Sequence, residues 1–444
     1  MGLQVFTGRT LGAVVGTAAT LTAFVVAGPA AAAPLLDHQV ALQLDSAATA
    51  WILTSTALVL LMTLPGLALF YGGMVRQKNV IATAAQSVAV MALVTVLWFV
   101  AGYSLSFGKG PEALNGVIGG VQALFLDGVR PDTAHSLAKG LPEFLWIAYQ
   151  LTFAVITPAL IAGAFAERMK FSALLLFAGL WHLLVYAPIC HQVWGGGWLG
   201  QAGVLDFAGG AVVHVNSGVA GLVCALFLGP RHGWQRDNMA PHNLVLSLTG
   251  ASLLLVGWLG FNAGSAWAAD GIAALAAFNT ILAAAAGCLA WMAVEWAHRK
   301  KATMLGLLSG LVGGLVGVTP AAGLVDPKGA FLIGAISGPV CYAGAVWLKH
   351  RFRYDDSLDA FGIHGLGGIV GAVLTGVFAT TAVNAAAAPA NVGAQLLGLA
   401  ATMAWSGIGT WAILWVVKLA VGLRVTREQE IEGLDYALHG EVVQ

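Results

Sequence analysis

The sequence predicts an all-α polytopic membrane protein with eleven transmembrane helices. Ten form a 5+5 inverted pseudo-twofold repeat, and a long eleventh is added. Three observations predict this. Hydrophobic residues make up 59% of the 444 residues and charged residues only 9%, against roughly 25% charged in an average soluble protein. The apolar residues come in continuous runs of about 20, the length that spans a bilayer as a helix. Two related passages lie five runs apart, near Asp206 and near Asp359. A soluble enzyme and a disordered chain are excluded, since neither tolerates this apolar content. The 20 basic residues are matched by 20 acidic ones, so no basic face exists to bind nucleic acid. Alternation along the strand, the mark of a membrane β-barrel, is absent.

The N-terminal 1–32 read as a signal peptide. Arg9 supplies the positive start, an apolar stretch runs from Leu11 to Ala27, and Ala30, Ala31 and Ala32 fit the small-x-small cleavage rule. An uncleaved membrane helix is the alternative. Cleavage puts the mature N-terminus outside, in a bacterial periplasm.

The predicted spans are 48–71, 83–107, 142–165, 171–190, 206–229, 243–263, 272–296, 303–320, 330–350, 364–384 and 391–421. With the N-terminus outside, fifteen Lys and Arg fall on the cytoplasmic side, among them Arg76, Arg168, Arg231, Lys349 and Arg424. Only Lys109, Arg130, Lys139 and Lys328 fall outside. That bias satisfies the positive-inside rule and requires an odd number of spans. The C-terminal 422–444 then form a cytoplasmic tail. Within it, Thr426 and Gln429 make a capping box for one short helix.

The two related passages define the repeat. Asp206-Phe-Ala-Gly-Gly leads to His214 in the fifth span, and Asp359-Ala-Phe-Gly leads to His364 in the tenth. An odd offset reverses direction through the bilayer, so repeat 1 (about 48–229) is mirrored by repeat 2 (about 243–384). An ionisable group inside a membrane span marks a pathway by default. His214 and His364 enter from opposite ends and are expected to meet, one imidazole donating to the other. His182, alone on an apolar face, reads as a satisfied core histidine. Asp206 is expected to cap a helix N-terminus more than to touch a cation. Trp194 reads either as an interfacial belt residue or as one wall of a cation site. No third ligand stands near either histidine and no HExxH occurs, so no metal site is expected. Cys190, Cys224, Cys288 and Cys341 are far apart and lack ligand spacing. They read as inert buried thiols.

Six passages, two of them those that carry His214 and His364, carry a family resemblance. They are Ala68-Leu-Phe-Tyr-Gly-Gly73, Ala166-Glu-Arg168, Val193-Trp-Gly-Gly-Gly197, the run from Asp206 through His214 to Gly221 and Arg231, Gly257-Trp-Leu-Gly-Phe-Asn-Ala-Gly-Ser265, and Phe361-Gly-Ile-His-Gly365. Spread in order over about 48–440, they resemble the ammonium transporter (Amt/Mep/Rh) family, in its bacterial Amt branch. The resemblance implies a homotrimer with one pore per subunit in the bacterial inner membrane. Ammonium or ammonia is the implied substrate, and no cofactor or enzymatic reaction is implied. Substrate binding would fall to Tyr149, Phe153, Trp194 and Ser265, with Asp206 shaping the site. The gate would be Phe153 and Phe261, and the pore would be lined by His214, His364 and Trp258. Tyr149 stands where Phe is frequent, and its hydroxyl is expected to change affinity. The mechanism implied is deprotonation outside the gate and passage of ammonia, a proton following along the histidines. The tail, with Glu430-Ile-Glu-Gly-Leu-Asp435, resembles the segment that docks under the subunits and cooperates with a PII-type signalling protein. Three other readings are an ammonium sensor of the same fold with little flux, a membrane metalloenzyme using the histidines, and a gas channel of the Rh kind.

Overall fold

The computed structural model describes residues 35–443, and the signal-peptide reading of 1–32 lies outside them. Leu35 and Leu36 belong to a separate unit, and the fold is built from residue 37 onward.

Several helices begin where a side chain that can accept a backbone amide precedes an apolar run. Asp45 accepts from Ala48 N–H and starts α1 (Ser46–Met74). Then come α2 (Gln77–Phe107), α3 (Glu143–Phe165), α4 (Phe171–Gln201) and α5 (Gly210–Leu228). Asn243 caps α6 (Leu244–Gly264), and Asp270 caps α7 (Gly271–Arg299). Thr303 caps α8 (Met304–Val318). Asp326 caps α9 (Pro327–Phe352), whose first residue is a proline that needs no donor there. The tenth helix, α10 (Phe361–Phe378), leads to α11 (Val392–Ala420), capped by Asn391. Each such cap satisfies an orphan amide and is worth about 1 kcal/mol.

Among the described residues ten helices are long and apolar enough to cross a membrane. The eighth predicted span, 303–320, is occupied by α8, an apolar helix of 15 residues. At 1.5 Å per residue it is roughly 22 Å long, short of a ~30 Å hydrocarbon layer. The fourth span runs past the predicted end at 190 because the helix continues to Val193 and resumes at Trp198 after the Gly195–Gly197 turn. A small antiparallel pair was not anticipated. It joins β1 (Gln39–Ala41) to β2 (Thr133–His135) and ties the N-terminal segment to the loop before α3.

Glycine lets two helix pairs come close. A methyl on Gly287 of α7 would lie 2.7 Å from the Gly310 carbonyl oxygen of α8. A methyl on Gly218 of α5 would fall on the backbone of Gly365 in α10. That crossing of α5 and α10 sets His214 beside His364.

At the other end of the molecule from β1 and β2, charged loops are locked together. Glu167, fully buried, takes Arg76 Nε at 2.9 Å and Arg231 Nη1 at 3.1 Å. Asp355 holds Arg231 through Nε and Nη2, at 2.9 and 2.8 Å. Burial would raise both carboxyls, but the Arg231 guanidinium, aided at Glu167 by Arg76, holds them below the usual carboxylate range. The pairs therefore stay ionised at neutral pH and loosen only in acid. The tail packs onto this end of its own chain. Arg424 pairs with Glu430 at 2.8 Å. Glu430 accepts His232 N–H, and Asp435 accepts Ala82 N–H at 2.8 Å. The short helix α12 (Arg427–Glu432) opens with the Thr426/Gln429 capping box.

Candidate functional site

Both histidines sit in wide turns rather than regular helix, and the same device makes each turn. Asp206 spends its two carboxylate oxygens on four backbone amides: Gly209 at 2.7 Å, Gly210 at 2.6 Å, Ala211 at 2.8 Å and Val212 at 3.0 Å. This opens the π-helical turn Gly210–Val215, which carries His214. In the second half the partner is not Asp359, as the passage alignment predicts, but Asp356. Asp356 accepts Ala360 N–H at 3.0 Å and Phe361 N–H at 2.8 Å, and opens the π-helical turn Phe361–Gly365. Asp359 instead pairs with the Lys349 ammonium. The corrected match is closer than the predicted one. Each aspartate stands eight residues before its histidine, and the residue three after it has left-handed φ, 118° at Gly209 and 60° at Asp359.

The two imidazoles meet at Nδ1···Nδ1 3.3 Å, ring centroids 5.3 Å apart and 23° from parallel. One Nδ1 must carry the proton and the other accept it. The pair then presents one Nε2 lone pair and one Nε2–H to its surroundings. His214 Nε2 has no partner among the described residues. The histidines line a narrow chamber of about 10 Å³, walled mostly by apolar side chains such as Met62, Phe70, Leu160 and Leu254. Trp258 lies flat against His214 at 5.4 Å, its indole N–H held by Thr319 Oγ1 at 2.9 Å.

A second cavity of about 280 Å³, a vestibule, is lined by Phe153, Trp194, Asp206 and Ser265, together with Leu137, Trp146, Gln150, Val193, Phe207 and Trp267. Phe153 belongs to the vestibule and Phe261 to the chamber. Their rings stand 4.3 Å apart, so two phenyl groups separate the cavities. Trp194 meets Phe153 edge-on at 5.6 Å and donates its N–H to the Asp206 carbonyl at 2.8 Å. Ser265 Oγ donates to Phe261 O at 2.8 Å, which leaves its lone pairs for an incoming N–H donor. Tyr149 stands behind this lining, fully buried. Its hydroxyl lies 2.8 Å from Gly260 O, 2.9 Å from Phe261 O and 3.4 Å from Ser265 Oγ.

His182 is in the core but is not satisfied: neither ring nitrogen has a partner among the described residues. Three of the cysteines are buried and Cys288 is half-buried, all as free thiols. No group of three or more metal-ligating side chains occurs among the described residues. Sequence reading missed Trp146, Gln150 and Trp267. The first two were within reach, because 146, 150 and 153 share one face of α3 at helical spacing. The side-chain oxygen of Gln150 is buried and has no partner among the described residues. Trp267 lies in a turn, where no periodicity points at it.

Three comparisons bear on this geometry. A model of the Ammonium Transporter Family matches residues 50–444. An ammonium transporter of Bacillus subtilis is 50% identical over 393 residues, covering 86% of this chain and 95% of that protein. Among solved structures, Saccharomyces cerevisiae Mep2 is similar with a TM-score of 0.80 and 36% identity, covering 87% of this chain and 89% of that one. A structure titled Sensor Amt Protein matches with a TM-score of 0.81 and 26% identity, covering 88% and 98%.

Proposed function

The chain belongs to the ammonium transporter family, and on that premise we propose that it carries ammonium nitrogen into the cell across a bacterial inner membrane. The observation that carries this is the order of the two cavities. A polar and aromatic vestibule is parted by two phenyl rings from an apolar chamber that holds only a histidine pair as hydrogen-bonding wall.

Ammonium enters the vestibule, where the Phe153 and Trp194 rings attract it and Ser265 Oγ accepts one N–H. Tyr149 contributes its ring from behind, and its hydroxyl, 3.4 Å from Ser265 Oγ, alters the site's affinity relative to a phenylalanine. Carrying the whole ion into the chamber would strip its charge of water, which is far costlier than moving neutral ammonia. The proton is therefore given up in the vestibule, to solvent water, before the nitrogen enters. Ammonia passes between Phe153 and Phe261 and meets the His214–His364 pair, which replaces lost hydrogen bonds. The proton follows along the same pair. The eleven-helix count, with α8 as the short eighth, and the inverted repeat are part of this reading. The matched Asp206/His214 and Asp356/His364 turns support the repeat. So are a homotrimer with one pore per subunit, an outside N-terminus, and a cytoplasmic tail that recruits a PII-type protein.

The test is uptake of labelled methylammonium into proteoliposomes of the purified protein. Saturable uptake, displaced by ammonium and not by potassium, is expected. Tight ammonium binding without uptake would instead support a sensor.

A further inference from the structure

Aromatic surface in the vestibule extends well past the proposed ion site. Trp267, in the turn after α6, has φ of 59°, a conformation that bulky residues rarely adopt. In that conformation its indole lies against Trp146, centroids 4.2 Å apart and 32° from parallel. It also meets Tyr149 edge-to-face at 5.0 Å. Trp146 is buried, and its ring is backed in turn by His135, 5.0 Å away and 7° from parallel.

His135 is fixed as a neutral ring. Its Nδ1 accepts Leu137 N–H at 3.1 Å, so Nε2 carries the proton and donates to Phe107 O at 3.2 Å. Burial pushes its pKa down to about 4, so no positive charge arises behind Trp146 near neutral pH. The β1–β2 pairing holds His135 in place. Trp267 is half-buried, as Trp194 is, whereas Phe153 and Ser265 are buried, so solvent reaches it. An ammonium ion is about the size of a water, which needs about 10–15 Å³ of cavity space. The 280 Å³ vestibule therefore has room for more than one position.

We propose that Trp267, backed by Trp146, is a second cation station in the vestibule, taking ammonium and small primary alkylammonium ions before they reach Phe153, Trp194 and Ser265. The inference rests on the transport reading for the direction of travel, but not for the binding itself. Tryptophan offers the strongest ring face for a cation. Methylammonium adds an apolar methyl against the indole. Sodium, strongly hydrated and without N–H donors, gains little there.

The test is calorimetric binding of methylammonium to the purified full-length protein, with proteoliposome uptake in parallel. Trp267→Leu is expected to weaken binding about two- to fivefold, the size of a partly exposed cation–π contact. Trp267→Phe, which keeps a ring, is expected to stay within twofold of the parent. If Trp267→Leu does not fold, Trp267→Met carries the same expectation. Unchanged affinity in the ring-less variant overturns the proposal, whatever happens to the rate, because Trp267 then only packs against Tyr149. A parent that binds and shows the Leu-variant loss but transports nothing refutes the transport reading and leaves the station standing. A parent that transports methylammonium with no measurable binding overturns the station alone.

Discussion

Asp206→Ala is expected to abolish methylammonium uptake and to lower the melting temperature of the purified protein. Four backbone amides spend themselves on this one carboxylate, and it is buried. A buried donor left without a partner costs roughly 1–3 kcal/mol. Four such losses are of the order of the net stability of a folded domain, about 5–15 kcal/mol. The π-helical turn that aims His214 exists only because those amides point at Asp206 rather than continuing a regular helix. Removing the carboxylate therefore disorders the turn, and the histidine pair goes with it. Asp206→Asn keeps one acceptor oxygen and is expected to fall between the two. An Asp206→Ala protein with the parent's uptake rate and melting temperature would mean that the turn is held by something else.

The second large effect concerns the pair itself. In His214→Ala or His364→Ala the remaining imidazole keeps its Nδ1 with no partner at 3.3 Å, and the chamber loses half of its hydrogen-bonding wall. Ammonia crossing an apolar space without a compensating hydrogen bond pays at least about 2 kcal/mol, which is about a 30-fold fall in rate. The fold itself should survive, since neither imidazole holds backbone in place. Uptake in each single variant is thus expected to fall at least tenfold at unchanged melting temperature. The double variant is expected to be little worse than either single one, because the two rings act as one unit. Full uptake in the double variant would remove the histidines from the path.

Much of the fold was legible because it is periodic and local. Runs of apolar residues bounded by Asp45, Asn243, Asp270, Thr303, Asp326 and Asn391 mark helix starts that need only neighbours three residues away. The two facing histidines were legible for another reason: an ionisable side chain in an apolar run is costly, so it stands out. What escaped depends on contacts distant in sequence or on local backbone geometry. Asp356 was passed over for Asp359 because the composition after Asp359 resembles that after Asp206. The choice between them is made by which carboxylate reaches the Ala360 and Phe361 amides and which one faces Lys349. The buried polar cluster around Glu143 escaped for the same kind of reason. His38 reaches Glu143 across 105 residues at 3.0 Å, and Glu143 also takes Tyr103 OH at 2.7 Å. Neither pattern nor spacing relates those residues. Trp267 depends on a single left-handed φ. Tyr149 was seen, but where its hydroxyl goes is decided by the Gly260 and Phe261 carbonyls of another helix.

The central claim is that ammonium parts with its proton in the vestibule and that the nitrogen crosses the Phe153–Phe261 pair as ammonia, the proton following along His214 and His364. The most direct measurement is the transient current from proteoliposomes after an ammonium jump, with internal pH recorded and a potassium jump as control. A current specific to ammonium, greatly diminished in His364→Ala, is the predicted result. An equal current with potassium would mean that the ion crosses whole. No current with internal alkalinisation would mean that ammonia crosses and the proton stays behind. No current and no pH change would contradict transport altogether.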